Sequence, residues 1–113
     1  VFSGGFITYS NQSKSNHLEI SSNLIKDSGA VSKIVAKQMS ERIREKFNTS
    51  YGLAITGIAG PGGGSEDKPV GTVFISISDK NRTLVNKFLF GNDRAKNKIK
   101  FSQAAFNMLR LFI

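Results

Sequence analysis

Apolar and polar positions follow two different periods along this chain, and the changeovers divide it into elements. Val31, Ile34, Val35, Met39, Ile43 and Phe47 recur at steps of three and four, which lines them up on one face of a helix. Ser32 stands where an N-cap hydroxyl is wanted, and Arg42, Arg44 and Lys46 lie at the end where cations complement the helix dipole. Asn48-Thr49-Ser50 closes this helix. Tyr51 to Thr56 is a nearly continuous apolar run and predicts a short strand buried on both faces. From Val70 to Ser78 the period drops to two. Val73, Ile75 and Ile77 then share one face, and Thr72, Phe74, Ser76 and Ser78 the other. Asp79-Lys80-Asn81 reads as a turn, and Thr83 to Phe90 as a strand hairpin-paired with the one before it.

The two ends complete the pattern. Phe6-Ile7-Thr8-Tyr9, behind Gly4-Gly5, is a β-leaning run. Residues 11–27 are polar and broken, with Leu18, Ile20, Leu24 and Ile25 as core contacts, and predict one or two short helical turns. Asn92-Asp93 starts a last helix, whose stripe is Phe101, Ala105, Met108 and Phe112, widened by Phe106, Leu109 and Ile113. No repeat or linker is visible. Strands alternating with helices predict one layered α/β domain over residues 1–113, its sheet made mixed by the late hairpin.

Composition narrows the function classes. The chain has no cysteine, which removes disulfides, zinc-thiolate sites and thiol catalysis. No stretch approaches the roughly 18 apolar residues of a membrane span, so the expectation is a cytoplasmic protein without membrane contact. Lys and Arg outnumber Asp and Glu by 16 − 8 = 8. That excess suits an anionic partner, either nucleic acid or a phosphorylated metabolite. Because the basic residues are spread along the chain, they equally describe an ordinary solvated surface.

The most informative segment is Thr56-Gly57-Ile58-Ala59-Gly60-Pro61-Gly62-Gly63-Gly64. Glycine takes positive φ freely, so successive amides can turn toward one point and bind an anion. Two familiar phosphate loops do not fit. A Walker loop needs Lys-Ser/Thr opening a helix after the last glycine, whereas Ser65-Glu66-Asp67-Lys68-Pro69 leads into a strand. The dinucleotide fingerprint also needs a following helix, and its spacing is not met. A structureless loop of about a dozen residues is more often functional than a plain connector.

Tyr9 and Lys14 form a second constellation. If Tyr9 ends a strand and Lys14 lies in the next turn, both overhang one sheet edge. A lysine in a partly dry pocket can act as a base, and a tyrosine hydroxyl can relay a proton. The commoner arrangement for these residue types is a solvated lysine and a packed tyrosine. His17, Glu66 and Asp67 have no ligand-like spacing, and neither a metal site nor a cofactor is predicted.

In order along the chain, several motifs resemble the C-terminal domain of the competence/damage-inducible CinA family. They are Gly5-Phe6-Ile7-Thr8-Tyr9-Ser10-Asn11 with Lys14, Gly29-Ala30-Val31-Ser32, the glycine segment through Lys68-Pro69-Val70-Gly71-Thr72-Val73, and Asp93-Arg94 after Phe90. The resemblance spans nearly the whole chain. It implies a three-layer α/β/α sandwich with a mixed sheet and a metal-free amidohydrolase. The implied reaction converts nicotinamide mononucleotide to the acid and ammonia, as in NAD salvage. A serine attacks the amide carbon, while Lys14 as base and Tyr9 as its partner manage protons. By the same resemblance Asn11, Thr56, Gly57, Ala59, Gly60, Gly62 and Gly63 line the substrate site, and Arg94 adds charge for the nucleotide phosphate. Asn92 stands where the family usually has glycine, and asparagine tolerates positive φ better than most residues.

In the family the nucleophile lies in a Glu-Ser-Cys-Thr-Gly-Gly segment upstream of the strand carrying the tyrosine. Val1-Phe2-Ser3 matches the family residues just after that segment, so neither Ser3 nor Ser10 is assigned as nucleophile. The expectation is that the first helix, the first strand and the nucleophile lie before Val1. An uncovered sheet edge would then be met by upstream residues or by another chain, such as a second copy in a homo-oligomer. A fused N-terminal CinA domain is compatible with this. The alternative is a non-catalytic nucleotide-binding or regulatory module, while a nucleic-acid role has only net charge behind it.

Overall fold

The computed structural model describes residues 2–8 and 10–113. Its elements run α1 (Asn11–Leu18), α2 (Ser22–Ser28), α3 (Lys33–Phe47), β1 (Gly52–Gly57), β2 (Thr72–Ser78), β3 (Thr83–Leu89) and α4 (Arg94–Phe112). Three layers result: α3, flanked by α1 and α2, covers one face of the sheet, and α4 covers the other.

The short helices are set by their caps. α1 has almost no amphipathic pattern, yet Ser10 Oγ accepts from the Ser13 N–H at 3.0 Å. Glu19, at φ 56°, returns its N–H to the Lys14 carbonyl. Only Lys14 and Leu18, four residues apart on one face, are buried there. In α3, Ser32 caps as expected, accepting from the Val35 N–H, and Asn48 closes the helix at φ 51°.

All seven residues of β2 are buried. Val73, Ile75 and Ile77 pack with Phe101, Ala105, Met108 and Phe112 of α4, each of these side chains larger than alanine contributing roughly 1.5–3 kcal/mol by burial. The opposite face is polar where it meets α3: Ser40 Oγ and Ser76 Oγ lie 2.6 Å apart. Leu18, Ile20, Ile25, Val35, Met39 and Ala54 form a second core under α1–α3.

The α/β class and its layering stand as expected, but the described strands are all antiparallel, in the order β1-β2-β3. β1 and β2 are joined by a reversal without a helix, and only a crossover makes neighbours parallel. The strand expected at Phe6–Tyr9 is not one: residues 6–8 are irregular, and Tyr9 lies outside the described residues. Phe6 instead stacks on His17 at 5.3 Å and meets Phe47 at 5.7 Å. β1 is not buried on both faces. It lies at the sheet edge, and Ile55, facing the α4 side, is 36% exposed. Phe106 and Ile113 point to solvent at 66% and 71% exposure, so of the three expected residues only Leu109 widens the α4 stripe, joined by Ala104.

Candidate functional site

The glycine loop, residues 58–71, joins the ends of β1 and β2, and backbone bonds fasten its base. The Ile58 N–H donates to Thr72 O at 2.8 Å, the Gly71 N–H to Ile58 O at 2.7 Å, and the Phe90 N–H to Gly71 O at 2.9 Å. These bonds draw both ends of the loop against the junction between β3 and α4. Glycine is required at Gly71, where φ is +96° and a Cβ would overlap the carbonyl oxygens of Phe90 and Gly91.

Side chains tie the loop on two sides. From α4, Arg94 Nη1 donates to Gly60 O at 3.0 Å. Asn97 Nδ2 donates to Ala59 O at 2.9 Å and to Gly91 O at 2.7 Å. From the other side, Thr56 Oγ1 donates to Ala30 O at 2.8 Å, and Lys68 Nζ to Ser28 O at 3.0 Å. The connection between α2 and α3 is thereby held to the end of β1 and to the far limb of the loop. The amides of Ala59, Gly60, Gly62, Gly63 and Gly64 donate to no acceptor among the described residues. Gly62 and Gly63 are exposed, with open space at Gly62.

Lys14 is 6% exposed, and its Nζ donates to Thr8 O at 2.7 Å. Burial pushes its pKa below the ordinary lysine value, because removing water disfavours the ammonium. Asn11 is exposed at the start of α1, on a groove of about 360 Å³ shared with Ile25 and Lys26.

The sequence-predicted residues thus form two groups. Thr56, Gly57, Ala59, Gly60, Gly62, Gly63 and Arg94 share the glycine loop and its surroundings. Lys14 and Asn11 sit on α1, which packs on α2 and α3 and not on a strand. The shared sheet edge expected for Lys14 and Tyr9 is therefore not what positions Lys14. Its helix packs on α2 and α3, its Nζ reaches the carbonyl of Thr8 in the irregular segment, and Tyr9 falls outside the described residues. Sequence reasoning missed Asn97, which is fully buried. The signal was present: Asn97 continues the α4 stripe one step of four before Phe101, so a polar residue interrupts an apolar row.

The fold that carries this site belongs to a known class of domain. The chain belongs to the CinA C-terminal domain family, whose model matches residues 1–113. A CinA-like protein of Acidobacterium capsulatum is 45% identical over 96% of this chain and 26% of its own length. One of Syntrophus aciditrophicus is 44% identical over 96% of this chain and 26% of its own length. The chain therefore spans about a quarter of these relatives. Among solved structures, the Agrobacterium tumefaciens competence/damage inducible protein CihA matches at TM-score 0.91 with 34% identity, over 95% of this chain and 66% of that one. A CinA superfamily protein from Escherichia coli matches at TM-score 0.91 with 28% identity, over 96% and 63%. No described helix is long and apolar enough to cross a membrane.

Proposed function

We propose that this domain is an amidohydrolase acting on nicotinamide mononucleotide, with a nucleophilic serine that lies outside residues 1–113. The observation that carries this reading is Lys14, a lysine 6% exposed whose burial lowers its pKa. Lowering the pKa raises the share of neutral amine at any given pH, and a neutral amine is what a serine needs if no histidine takes its proton. In the first step the serine Oγ bonds to the carboxamide carbon and its proton passes to Lys14 Nζ. That proton then goes to the amide nitrogen as the C–N bond breaks and ammonia leaves. Water hydrolyses the resulting ester to the free acid. The unpaired loop amides suit the oxyanion or the nucleotide phosphate, and Tyr9 is the proton partner of Lys14.

Protein that includes the preceding segment should release ammonia from nicotinamide mononucleotide. Lys14→Ala should lower that rate by roughly 10²–10⁴-fold, the usual worth of a general base. Ammonia release that survives Lys14→Ala removes Lys14 from the mechanism. Nucleotide binding without any ammonia release supports a regulatory module instead.

A further inference from the structure

Asn97 carries the same glycine loop one step further, in a role that rests on the amidohydrolase reading. Its side chain has no exposed surface and sits on the apolar stripe of α4. Nδ2 makes two hydrogen bonds, to Ala59 O and Gly91 O, while Oδ1 is buried without a partner among the described residues. The amide orientation is fixed by these contacts, since the flipped form would press Oδ1 against two carbonyl oxygens. A buried acceptor left unpaired is costly, and a leucine would avoid that cost. What an asparagine offers here is a pair of donors that join the glycine loop to the β3–α4 junction.

Peptide geometry carries this constraint into the loop. The Ala59 carbonyl and the Gly60 N–H belong to one planar peptide, and in the trans form they point in opposite directions. The cis bond among the described residues is the next one, Gly60-Pro61. Fixing Ala59 O on Asn97 therefore aims the Gly60 N–H away from α4. The preceding peptide is held in the same manner, because Ile58 O accepts from the Gly71 N–H at 2.7 Å. Neither the Ala59 nor the Gly60 N–H has an acceptor among the described residues, although Gly60 itself is buried. A buried backbone donor is nearly always paired.

We propose that Asn97 is a positioning residue that aims the Gly60 N–H, through the Ala59 carbonyl, at an anionic oxygen of the bound nucleotide. Arg94, donating to Gly60 O, holds the next carbonyl on the same side.

The test is a titration of isotope-labelled protein with nicotinamide mononucleotide, read at the Gly60 amide resonance, with inorganic phosphate and nicotinamide riboside as separate arms. In the wild type, the Gly60 amide should shift saturably with the mononucleotide. A shift with inorganic phosphate marks the phosphate as the recognised oxygen source; a saturable Gly60 shift with the riboside and none with phosphate, the riboside carrying no anionic oxygen, overturns the anionic target. Asn97→Asp keeps the size and removes both donors, and should weaken mononucleotide binding at least tenfold at neutral pH. A carboxyl facing two carbonyl oxygens has a raised pKa and regains one donor when protonated. Relative to wild type at the same pH, binding by this variant should therefore recover as the pH falls. Unchanged affinity and an unchanged Gly60 shift in Asn97→Asp overturn the positioning role while leaving the amidohydrolase reading intact. The wild type supplies an arm that does not depend on the variant folding: shifts at Gly62 and Gly63 with none at Gly60 also overturn it. No binding of the mononucleotide by the wild type removes the underlying reading as well.

Discussion

The base and the tip of the glycine loop are made of the same residue type and behave oppositely. At the base, Gly57 and Gly71 have no room for a side chain. A Cβ on Gly57 would stand 2.9 Å from Phe101 and Val73 side-chain carbons and 3.0 Å from Thr72 O. At the tip, Gly62 meets nothing within 4 Å, and the amides of Gly62, Gly63 and Gly64 have no acceptor among the described residues. Glycine at the base allows backbones to touch, whereas Gly62 and Gly63 at the tip leave N–H groups uncovered; Gly64 packs again, since a Cβ there would meet Val70 N at 2.7 Å. A run of glycines therefore combines a packing requirement with a binding surface, and substitutions should separate the two.

The largest effect is expected at the base. Gly71→Ala places a methyl on the Phe90 and Gly91 carbonyls at φ +96°, which combines backbone strain with overpacking. It should cost roughly 2–5 kcal/mol in a denaturant titration. A cost below about 0.5 kcal/mol, the range of ordinary surface changes, would mean that the base is not locked.

Thr56→Val should come next. The side chain is buried and donates to Ala30 O, so the change leaves that carbonyl unpaired. The expected loss is about 1–3 kcal/mol, with hydrogen exchange at residues 29–32 rising at the same time. Exchange that is unaltered there would show that Thr56 does not hold the α2–α3 connection.

Lys14 extends the comparison to a buried charge. Because burial lowers its pKa, the unfolded chain binds more protons between the folded value and the ordinary lysine pKa of about 10.4. Stability from this group therefore rises with pH across that window. The penalty is full below the folded value and gone above the ordinary one. Lys14→Met lacks the slope, so the Tm difference between variant and wild type should shrink as pH climbs toward about 10. A pH-independent difference would contradict a desolvated ammonium.

The smallest stability effect belongs to the tip. Gly62→Ala should change stability by no more than about 0.5 kcal/mol. It should still weaken nicotinamide mononucleotide binding several-fold by crowding the amides. Equal affinity would detach the tip from the ligand.

Much of the fold is legible in the sequence where one signal dominates. The α3 stripe with its Ser32 cap and the Asp79 turn are cases of this. In the turn, the Asn81 and Arg82 N–H groups both donate to Asp79 Oδ1 at 2.8 Å and hold its carboxyl below the usual range. Legibility ends where tertiary context decides. Phe6 has β propensity, but stacking on His17 and a tilted contact with Phe47 give its ring partners without a sheet. Phe106 and Ile113 fit a helical stripe, but α4 turns them away from the core. The glycine loop could be found from composition, because so dense a glycine run stands out against the periodic elements on either side. Asn97 stands out as a polar residue on an apolar row, but its role could not be assigned, because its partners are backbone carbonyls, one of them 38 residues away, and backbone carbonyls carry no sequence signal.

A crystal structure of the protein with nicotinamide mononucleotide bound tests the contrast between base and tip most directly. The nucleotide should lie against the loop, with an anionic oxygen within hydrogen-bond distance of the Gly60 N–H and of at least one amide from Gly62 to Gly64. A nucleotide seated in the α1–α2 groove beside Asn11 and Lys26, with those loop amides unengaged, would contradict it.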